Sequence, residues 1–420
     1  MDNLRVYLVT WNVGTKSPDQ SLHNLLSLNE NPAKDTGLLP DLYVISLQEV
    51  KAQPHNMLVD ILFDDPWTNA CKEVLERRNY VKVKTIRLQG LVLSVYCLRR
   101  HLLNLREIET QYTRTGISGF WGNKGAVSVR LGLYGCSLCF VNAHLSAHDD
   151  HLDDRVNDYN DIIKDQEFHV DDHTQILHHD YVFWMGDLNF RLSEDFSMSP
   201  HEIEQQIKKG NLKMLLEKDQ LHEVMRKGLA FSELRENAPS FPPTFKFEVG
   251  SHDYDHKRKP AWTDRILYKV GTNNYENVTL RAEQQSYKSH INYTLSDHRP
   301  VTSDFNIKVR AYYVHKPDQH DTARALSNPQ VFSDYAERIV EFDAVRQWTM
   351  DEVNYADYKM SQDRDTTGDW IGLFKDGFSS LDEYVSYVYV SKGSSPQPAT
   401  KSPHRAALVK HHIMYNAFWV

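Results

Sequence analysis

Five short apolar runs in this chain adjoin residues that can bind cations or move protons. Val6 to Val9 leads into Trp11 and Asn12, and Tyr43 to Leu47 leads into Gln48 and Glu49. Leu138 to Val141 runs into Asn142, Ala143 and His144, while Tyr181 to Met185 runs into Gly186, Asp187, Leu188 and Asn189. Ser296, Asp297 and His298 stand just ahead of a run that starts at Val301. Short apolar runs rich in Val, Ile, Tyr and Phe read as buried strands. One carboxylate or imidazole at a strand end commonly just closes a turn. Repeated at five strands, the pattern predicts an edge of a layered sheet where Asn12, Glu49, Asp187, Asn189 and Asp297 gather beside His144 and His298.

The remaining sequence frames that edge. Strands are predicted at Arg5 to Thr10, Tyr43 to Leu47, Leu91 to Leu98, Ala126 to Leu131, Ser137 to Asn142, Tyr181 to Met185, Arg265 to Lys269 and Val301 to Val309. Ser199, Pro200 and Glu202 supply an N-cap, a first-turn proline and a capping-box acid, with Gly210 beyond, so 200–209 is a helix. A second helix is predicted over 212–227, stopped by Gly228, and a third over 153–168 from the spacing of Val156, Tyr159, Ile162 and Ile163. Strands alternating with helices indicate an α/β class with sheets covered by helices.

At 420 residues the chain exceeds one average domain. After Arg310 a polar stretch gives way to Val331 to Val345, Trp370 to Lys375 and Tyr384 to Val390, which alternate like strands without helices. This divides the chain into 1–310 and a smaller all-β domain at 311–420. Ser391 to Pro403, rich in Ser, Pro and Gly, reads as a loop.

Charge and cysteine usage narrow the function. The net charge of −9 argues against a nucleic-acid coat protein, which needs basic surface, so an anionic ligand must be met by a local basic patch. Cys71, Cys97, Cys136 and Cys139 are too sparse for a disulfide framework, and the first residues lack the apolar core of a leader, which reads as cytosolic. Cys136 and Cys139 have the spacing of half a zinc or redox site, but without a second pair they read as buried strand residues. The apolar runs fall short of the ~20 residues that span a bilayer, so any membrane role is peripheral.

The strand-end inventory suits a hard cation with few protein ligands, Mg²⁺ rather than Zn²⁺, since no cysteine cluster or HExxH helix is present. Water and an anionic substrate would complete its shell. The pattern points to metal-assisted phosphate chemistry, with a carboxylate orienting the attacking water.

Phe183 to Arg191 (FWMGDLNFR) and Arg258 to Leu267 (RKPAWTDRIL) resemble the two signature motifs of the inositol polyphosphate 5-phosphatases. TWNVGT at 10–15, LQEV at 47–50, TGISGFWGNKGAVSVR at 115–130, VNAHLSAH at 141–148 and SDHRPV at 296–301 extend the resemblance over 1–308. Gly368 to Lys375 resembles the core of the SKICH domain that a subset of the family carries. The resemblance implies a four-layer endonuclease/exonuclease/phosphatase (DNase I-like) sandwich, followed by an immunoglobulin-like β domain with Trp348 and Trp370 in its core.

It further implies that Glu49, with Asn12 close by, holds Mg²⁺, and that Asp187 and Asn189 position or activate water. Asn142 and His144 would contact the scissile phosphate. His298 and Asp297 would stabilise the phosphoryl oxygens, and Asp264 would orient an imidazole or the substrate. Lys246, Lys257, Arg258, Arg265, Asn123 and Lys124 are the expected substrate-phosphate contacts, and Phe120 and Trp121 an expected membrane contact. Two features depart from the family pattern: Phe245 stands where a Tyr is common, and the 253–257 stretch is about two residues short.

The implied activity is Mg²⁺-dependent removal of the 5-phosphate from phosphatidylinositol 4,5-bisphosphate, the 3,4,5-trisphosphate and soluble inositol polyphosphates. Phosphoinositide lipids in an anionic membrane surface are the implied partners, with recruitment from the cytoplasm to plasma or endoplasmic-reticulum membrane. The C-terminal domain would contact proteins that the sequence does not name. A nuclease of the same fold would need a broad basic strip, and a catalytically idle scaffold would not need the intact strand-end set.

Overall fold

A computed structural model of the chain describes residues 3–35, 37–51, 65–115, 124–170, 173–193, 195–272, 279–309, 340–342, 353–360, 370–389, 404–409 and 415–419. The chain divides into two compact units, one of 1–98 and 107–310, the other of 99–106 and 311–420. In chain order the elements are β1 (Asn3–Asn12), β2 (Leu42–Gln48), α1 (Pro66–Glu76), β3 (Tyr80–Leu88), β4 (Leu91–Leu98), β5 (Leu105–Thr115), β6 (Lys124–Leu133), β7 (Cys136–His144), α2 (Leu152–Asp165), β8 (Tyr181–Asp187), α3 (Pro200–Lys208), α4 (Leu212–Leu216), α5 (Gln220–Lys227), β9 (Asp264–Val270), β10 (Ala282–Ser289) and β11 (Val301–Lys308).

These strands form a six-stranded sheet, β10-β11-β1-β2-β4-β3, and a five-stranded sheet, β5-β6-β7-β8-β9. The strands β2, β7 and β8 are buried along their whole length, as their near-continuous apolar sequences require. Side-chain parity then separates two faces. Tyr7, Val9 and Trp11 of β1 and Tyr43, Ile45 and Leu47 of β2 pack with Trp67, Cys71 and Leu75 of α1. Cys139, Val141, Val182 and Trp184 pack with Tyr159 and Ile162 of α2 and with Leu221 and Val224 of α5. The opposite parity faces the space between the sheets, where the rings of Phe140, Phe183 and Phe305 meet at centroid distances of 5.7 and 5.1 Å. Helices, sheet, sheet and helices make the four layers expected from the sequence.

Asn12, Gln48, Asn142, His144, Asp187 and Asp264 carry the inter-sheet parity. Register puts them at one end: Asn12 pairs with Gln48, His144 with Asp187, and Asp187 with Asp264. A slip of one residue would turn the whole set toward the helices.

Gly186 keeps β7 and β8 close enough for this. Its φ is +147°, and a Cβ there would sit 1.9 Å from the carbonyl oxygen of Ala143. Gly186→Ala is expected to cost about 4 kcal/mol or more, read as a lower urea midpoint; an unchanged midpoint would contradict this close approach.

The helix expected over 212–227 is two helices. Asp219 caps α5, accepting from the His222 amide at 3.1 Å, and Gly228 ends it at φ +69°. The α3 N-terminus has the complete Ser199–Glu202 capping box. All four cysteines are free and buried. Burial pushes the Cys71 thiol up to about 12 and raises that of Cys139. Cys136 and Cys139 are an odd number of residues apart in one strand, so they point to opposite faces and do not chelate together.

In the second unit, β12 (Val340–Phe342), β13 (Val353–Met360) and β16 (His404–Val409) form one antiparallel sheet in the order β12-β13-β16. β14 (Trp370–Lys375), β15 (Tyr384–Tyr389) and β17 (Tyr415–Trp419) form another in the order β15-β14-β17. Trp370 is half-buried rather than central, with its ring 5.7 Å from Tyr384 and 5.9 Å from Tyr387. Trp348 and the Ser391 to Pro403 stretch lie outside the described residues.

Candidate active site

The strand ends meet around Asp187, which is 1% exposed. The Asn12 side-chain amide donates to Asp187 Oδ2 at 3.0 Å and to Glu49 Oε1 at 3.1 Å, so one carboxamide joins two carboxylates from different sheets. The Asn12 carbonyl oxygen accepts from the Gly14 amide at 3.0 Å. Glu49 and Asn189 both adopt left-handed backbone, at φ 55° and 57°, a conformation that costs free energy and is held by its surroundings. That turn leaves the Glu49 side chain partly open, at 37% exposure, while Asp187 stays enclosed.

Two imidazoles flank Asp187. His144 Nε2 lies 3.2 Å from Asp187 Oδ2 and also meets the Lys124 ammonium. Burial and the Lys124 charge lower the His144 pKa, so its ring is neutral at pH 7. His298 Nε2 lies 3.8 Å from Asp187 Oδ2, and its Nδ1 is 2.9 Å from Asp264 Oδ2. Thr244 and Thr263 donate to the same Asp264 oxygen at 2.7 and 2.9 Å. Although burial opposes charge on His298, Asp264 and Asp187 push its pKa up to about 9. Burial alone would raise the Asp187 carboxyl, yet His298, His144 and Lys124 hold it well below the carboxylate range.

The site therefore has an ionised carboxylate between a neutral and a protonated imidazole. Asp187, Asp264 and His298 lie close enough to share a metal ion, but His298 Nδ1 is already engaged by Asp264 Oδ2 at 2.9 Å, and a protonated imidazole has no lone pair to offer. Glu49 and Asp187, tied by Asn12, are the better oxygen donors for a hard cation.

The raised His298 pKa makes stability depend on pH. Its contribution is complete below the unfolded value of 6.5 and is lost as pH rises through about 9. In chelator, the chain is expected to lose about 3 kcal/mol over that window, beyond what His298→Gln loses. Equal urea profiles for the two proteins would contradict the assignment.

Several expected contacts are placed otherwise. Arg265 does not face the site: it is wholly buried, pairs with Asp219 at 3.0 Å, and donates to Glu236. Asn142 does not face a phosphate. Its amide donates to the Leu47 and Val92 carbonyls at 2.9 and 2.8 Å, and its oxygen accepts from Gln48 at 2.8 Å, pinning sheet to sheet. The Asn189 side chain is likewise spent, donating to Leu145 O at 3.0 Å and accepting from Arg191 at 2.7 Å. It supports Asp187 through its backbone amide, 3.2 Å from Asp187 Oδ1.

At the mouth, Lys246 pairs with Asp297 at 3.2 Å, and Arg258 lies 3.8 Å from Asp149 with its side chain 43% exposed. Lys257 is exposed. Asn123, Phe120 and Trp121 lie outside the described residues.

Sequence reasoning gave no role to Arg191, Thr244 or Thr263. Arg191 is 6% exposed, its Nη1 has no hydrogen-bond partner among the described residues, and its guanidinium stacks 4.4 Å from the Phe245 ring. Phe245 in turn lies 4.5 Å from the His298 ring, so the residue that replaces the common Tyr packs against the site. Membership of the FWMGDLNFR motif was the available signal for Arg191, and membership of RKPAWTDRIL that for Thr263; Thr244 carried none.

Two stacked sheets with acidic and imidazole groups at one end define the endonuclease/exonuclease/phosphatase class, and residues 9–304 match the Endonuclease/Exonuclease/phosphatase family 2. Residues 340–416 match the SKICH domain. The chain is 34% identical over 411 residues to the inositol polyphosphate 5-phosphatase K of Mus musculus, covering 94% of this chain and 81% of that protein. It is 37% identical over 396 residues to the phosphatidylinositol 4,5-bisphosphate 5-phosphatase A of Mus musculus, covering 92% of this chain and spanning 37% of that relative's length. Among solved structures, the inositol polyphosphate 5-phosphatase domain of SPsynaptojanin, in complex with inositol (1,4)-bisphosphate and calcium ion, superposes with a TM-score of 0.61. That match has 29% identity and covers 79% of this chain and 90% of the other. The chain belongs to the inositol polyphosphate 5-phosphatases, with a SKICH domain after its sandwich.

Proposed function

We propose that this chain hydrolyses the 5-phosphate of phosphatidylinositol 4,5-bisphosphate and phosphatidylinositol 3,4,5-trisphosphate, and of soluble inositol polyphosphates. Residues 1–310 carry the chemistry, and 311–420 recruit it to protein partners. The observation that carries the reading is the buried Asp187, enclosed between His144 at 3.2 Å and His298 at 3.8 Å at the end of two packed sheets.

The donor set fits Mg²⁺: Glu49 and Asp187 offer oxygens, while all four thiols are buried elsewhere. Bound there, Mg²⁺ supplies charge neutralisation to the phosphoryl oxygens. The protein's own groups do the rest. Asp187 accepts a hydrogen bond from the attacking water and orients it, with Asn12 and the Asn189 amide fixing the carboxylate. His298, held protonated by Asp264, donates toward charge that develops on phosphoryl oxygen, and Lys124 with His144 lines the same side. Lys246 and Arg258 at the mouth read a neighbouring phosphate through charge-assisted hydrogen bonds.

A lipid substrate implies peripheral work at a cytoplasmic membrane face, with Phe120 and Trp121 as the contact. Among the described residues no helix is long and apolar enough to cross a membrane. The test is phosphate release from soluble inositol 1,4,5-trisphosphate with Mg²⁺ or with chelator. Release confined to Mg²⁺, with the 1,4-bisphosphate as product, is expected. Equal release in chelator, or none in either, would overturn the reading.

A further inference from the structure

Away from the strand ends, the first turn of α3 carries His201 and, one turn on, Glu204, and the 252–259 loop lays His256 against them. His256 Nε2 is 2.7 Å from Glu204 Oε2, and the His201 and His256 rings meet edge to face with centroids 5.4 Å apart. One ligand atom from each of the three residues lies within 4.8 Å of the others. We propose that His201, Glu204 and His256 form a Zn²⁺ site separate from the active site.

The chemistry of the set favours this ion. Two imidazoles and one carboxylate oxygen make a three-ligand zinc site that leaves a fourth position for water, whereas Mg²⁺ prefers oxygen donors throughout. The residues arrive from two elements at fixed places. His201 and Glu204, three apart, share one face of α3. Glu204 is buried and its two oxygens are divided: Oε1 takes Lys208 at 2.8 Å and Oε2 takes His256. Lys208 thus fixes the carboxylate while leaving Oε2 to the metal, a supporting contact of the kind that orients metal ligands. The His256 side chain is 46% exposed, which gives water a path to the fourth position. Tetrahedral coordination asks the His256–Glu204 pair to open from 2.7 Å to about 3.3 Å, within the reach of two side-chain rotations.

Occupancy would tie the loop to α3. His256 immediately precedes Lys257, Arg258 and Lys259, and Tyr254 already anchors the loop's start through a 2.7 Å hydrogen bond to Pro243 O. A bound ion fixes the backbone that presents the basic run. This consequence for substrate binding rests on the proposed phosphatase reading; the metal binding does not.

The test is calorimetric titration of Zn²⁺ into the full chain in excess Mg²⁺, which occupies oxygen-donor sites. One tight equivalent is expected for the wild type. His201→Ala, His256→Ala and Glu204→Gln should each weaken it by about tenfold or more, while His151→Ala, which alters another histidine pair, should not. A second readout is trypsin cleavage at 257–259, which Zn²⁺ should slow in the wild type and leave unchanged in His256→Ala. Absence of a tight equivalent, or wild-type Zn²⁺ affinity in all three folded variants, would overturn the site.

Discussion

Asp187→Asn is expected to lower kcat on inositol 1,4,5-trisphosphate by about 10³-fold or more while KM changes little. The substitution keeps the shape of the side chain and removes its charge. Asn12 and the Asn189 amide now face a carboxamide that is a weaker acceptor, and the attacking water loses its anionic partner. His298 loses one of the two carboxylates that hold its proton, so its pKa falls toward neutrality and its charge is no longer secure at working pH. The two losses act on the transition state, which is why kcat carries the effect. Steady-state kinetics on folded protein give the result. A fall of less than tenfold would place the chemistry elsewhere.

A large effect on stability is also expected at Arg265. Arg265→Met should destabilise the chain by about 3–5 kcal/mol, because it removes the guanidinium that Asp219 and Glu236 share in the interior and leaves the His222 imidazole to face both carboxylates. Glu236 is held down to about 2 against a burial effect that would raise it, chiefly by the Arg265 charge. A depressed carboxylate stabilises the fold above its unfolded value of 4.5, and that contribution is lost as pH falls through about 2. The wild type should therefore lose stability across this acid window more steeply than Arg265→Met, as read from urea midpoints. If Arg265 contacted substrate, its loss would raise KM and spare stability; that outcome would contradict the buried pairing.

Arg265 also shows where sequence stops being informative. It sits within the RKPAWTDRIL motif a few residues from Arg258, and nothing in the letters separates a buried cation from one at the mouth. The difference arises from β9, whose register turns Asp264 into the inter-sheet space and Arg265 the other way, toward Asp219 at the start of α5 and toward Glu236. Asn142 makes the same point. Its strand end was legible, but Leu47, Val92 and Gln48, which take up its amide, come from elements remote in sequence.

The central strands were legible because they are buried on both faces and read as apolar runs. Within the two sheets of the sandwich, the three strands that were not predicted, β3, β5 and β10, all lie at edges. Their sequences are half polar, as in AEQQSYKS of β10, since one side meets solvent and an edge is kept from pairing further. The break at Asp219 was hidden by a helical pattern on both sides, although the residue both caps α5 and receives Arg265. Side-chain parity, by contrast, carried most of the site. Residues two apart on buried strands had to share a face, and the parallel pairing of β1 with β2 and of β7 with β8 brought their ends level.

The most direct measurement is identification of the lipid left when the full chain acts on vesicles of phosphatidylinositol 4,5-bisphosphate in Mg²⁺, with Asp187→Asn run beside the wild type. Stoichiometric phosphate and phosphatidylinositol 4-phosphate are expected from the wild type and almost none from the variant. Phosphatidylinositol 5-phosphate as the product, or equal turnover by both proteins, would contradict it.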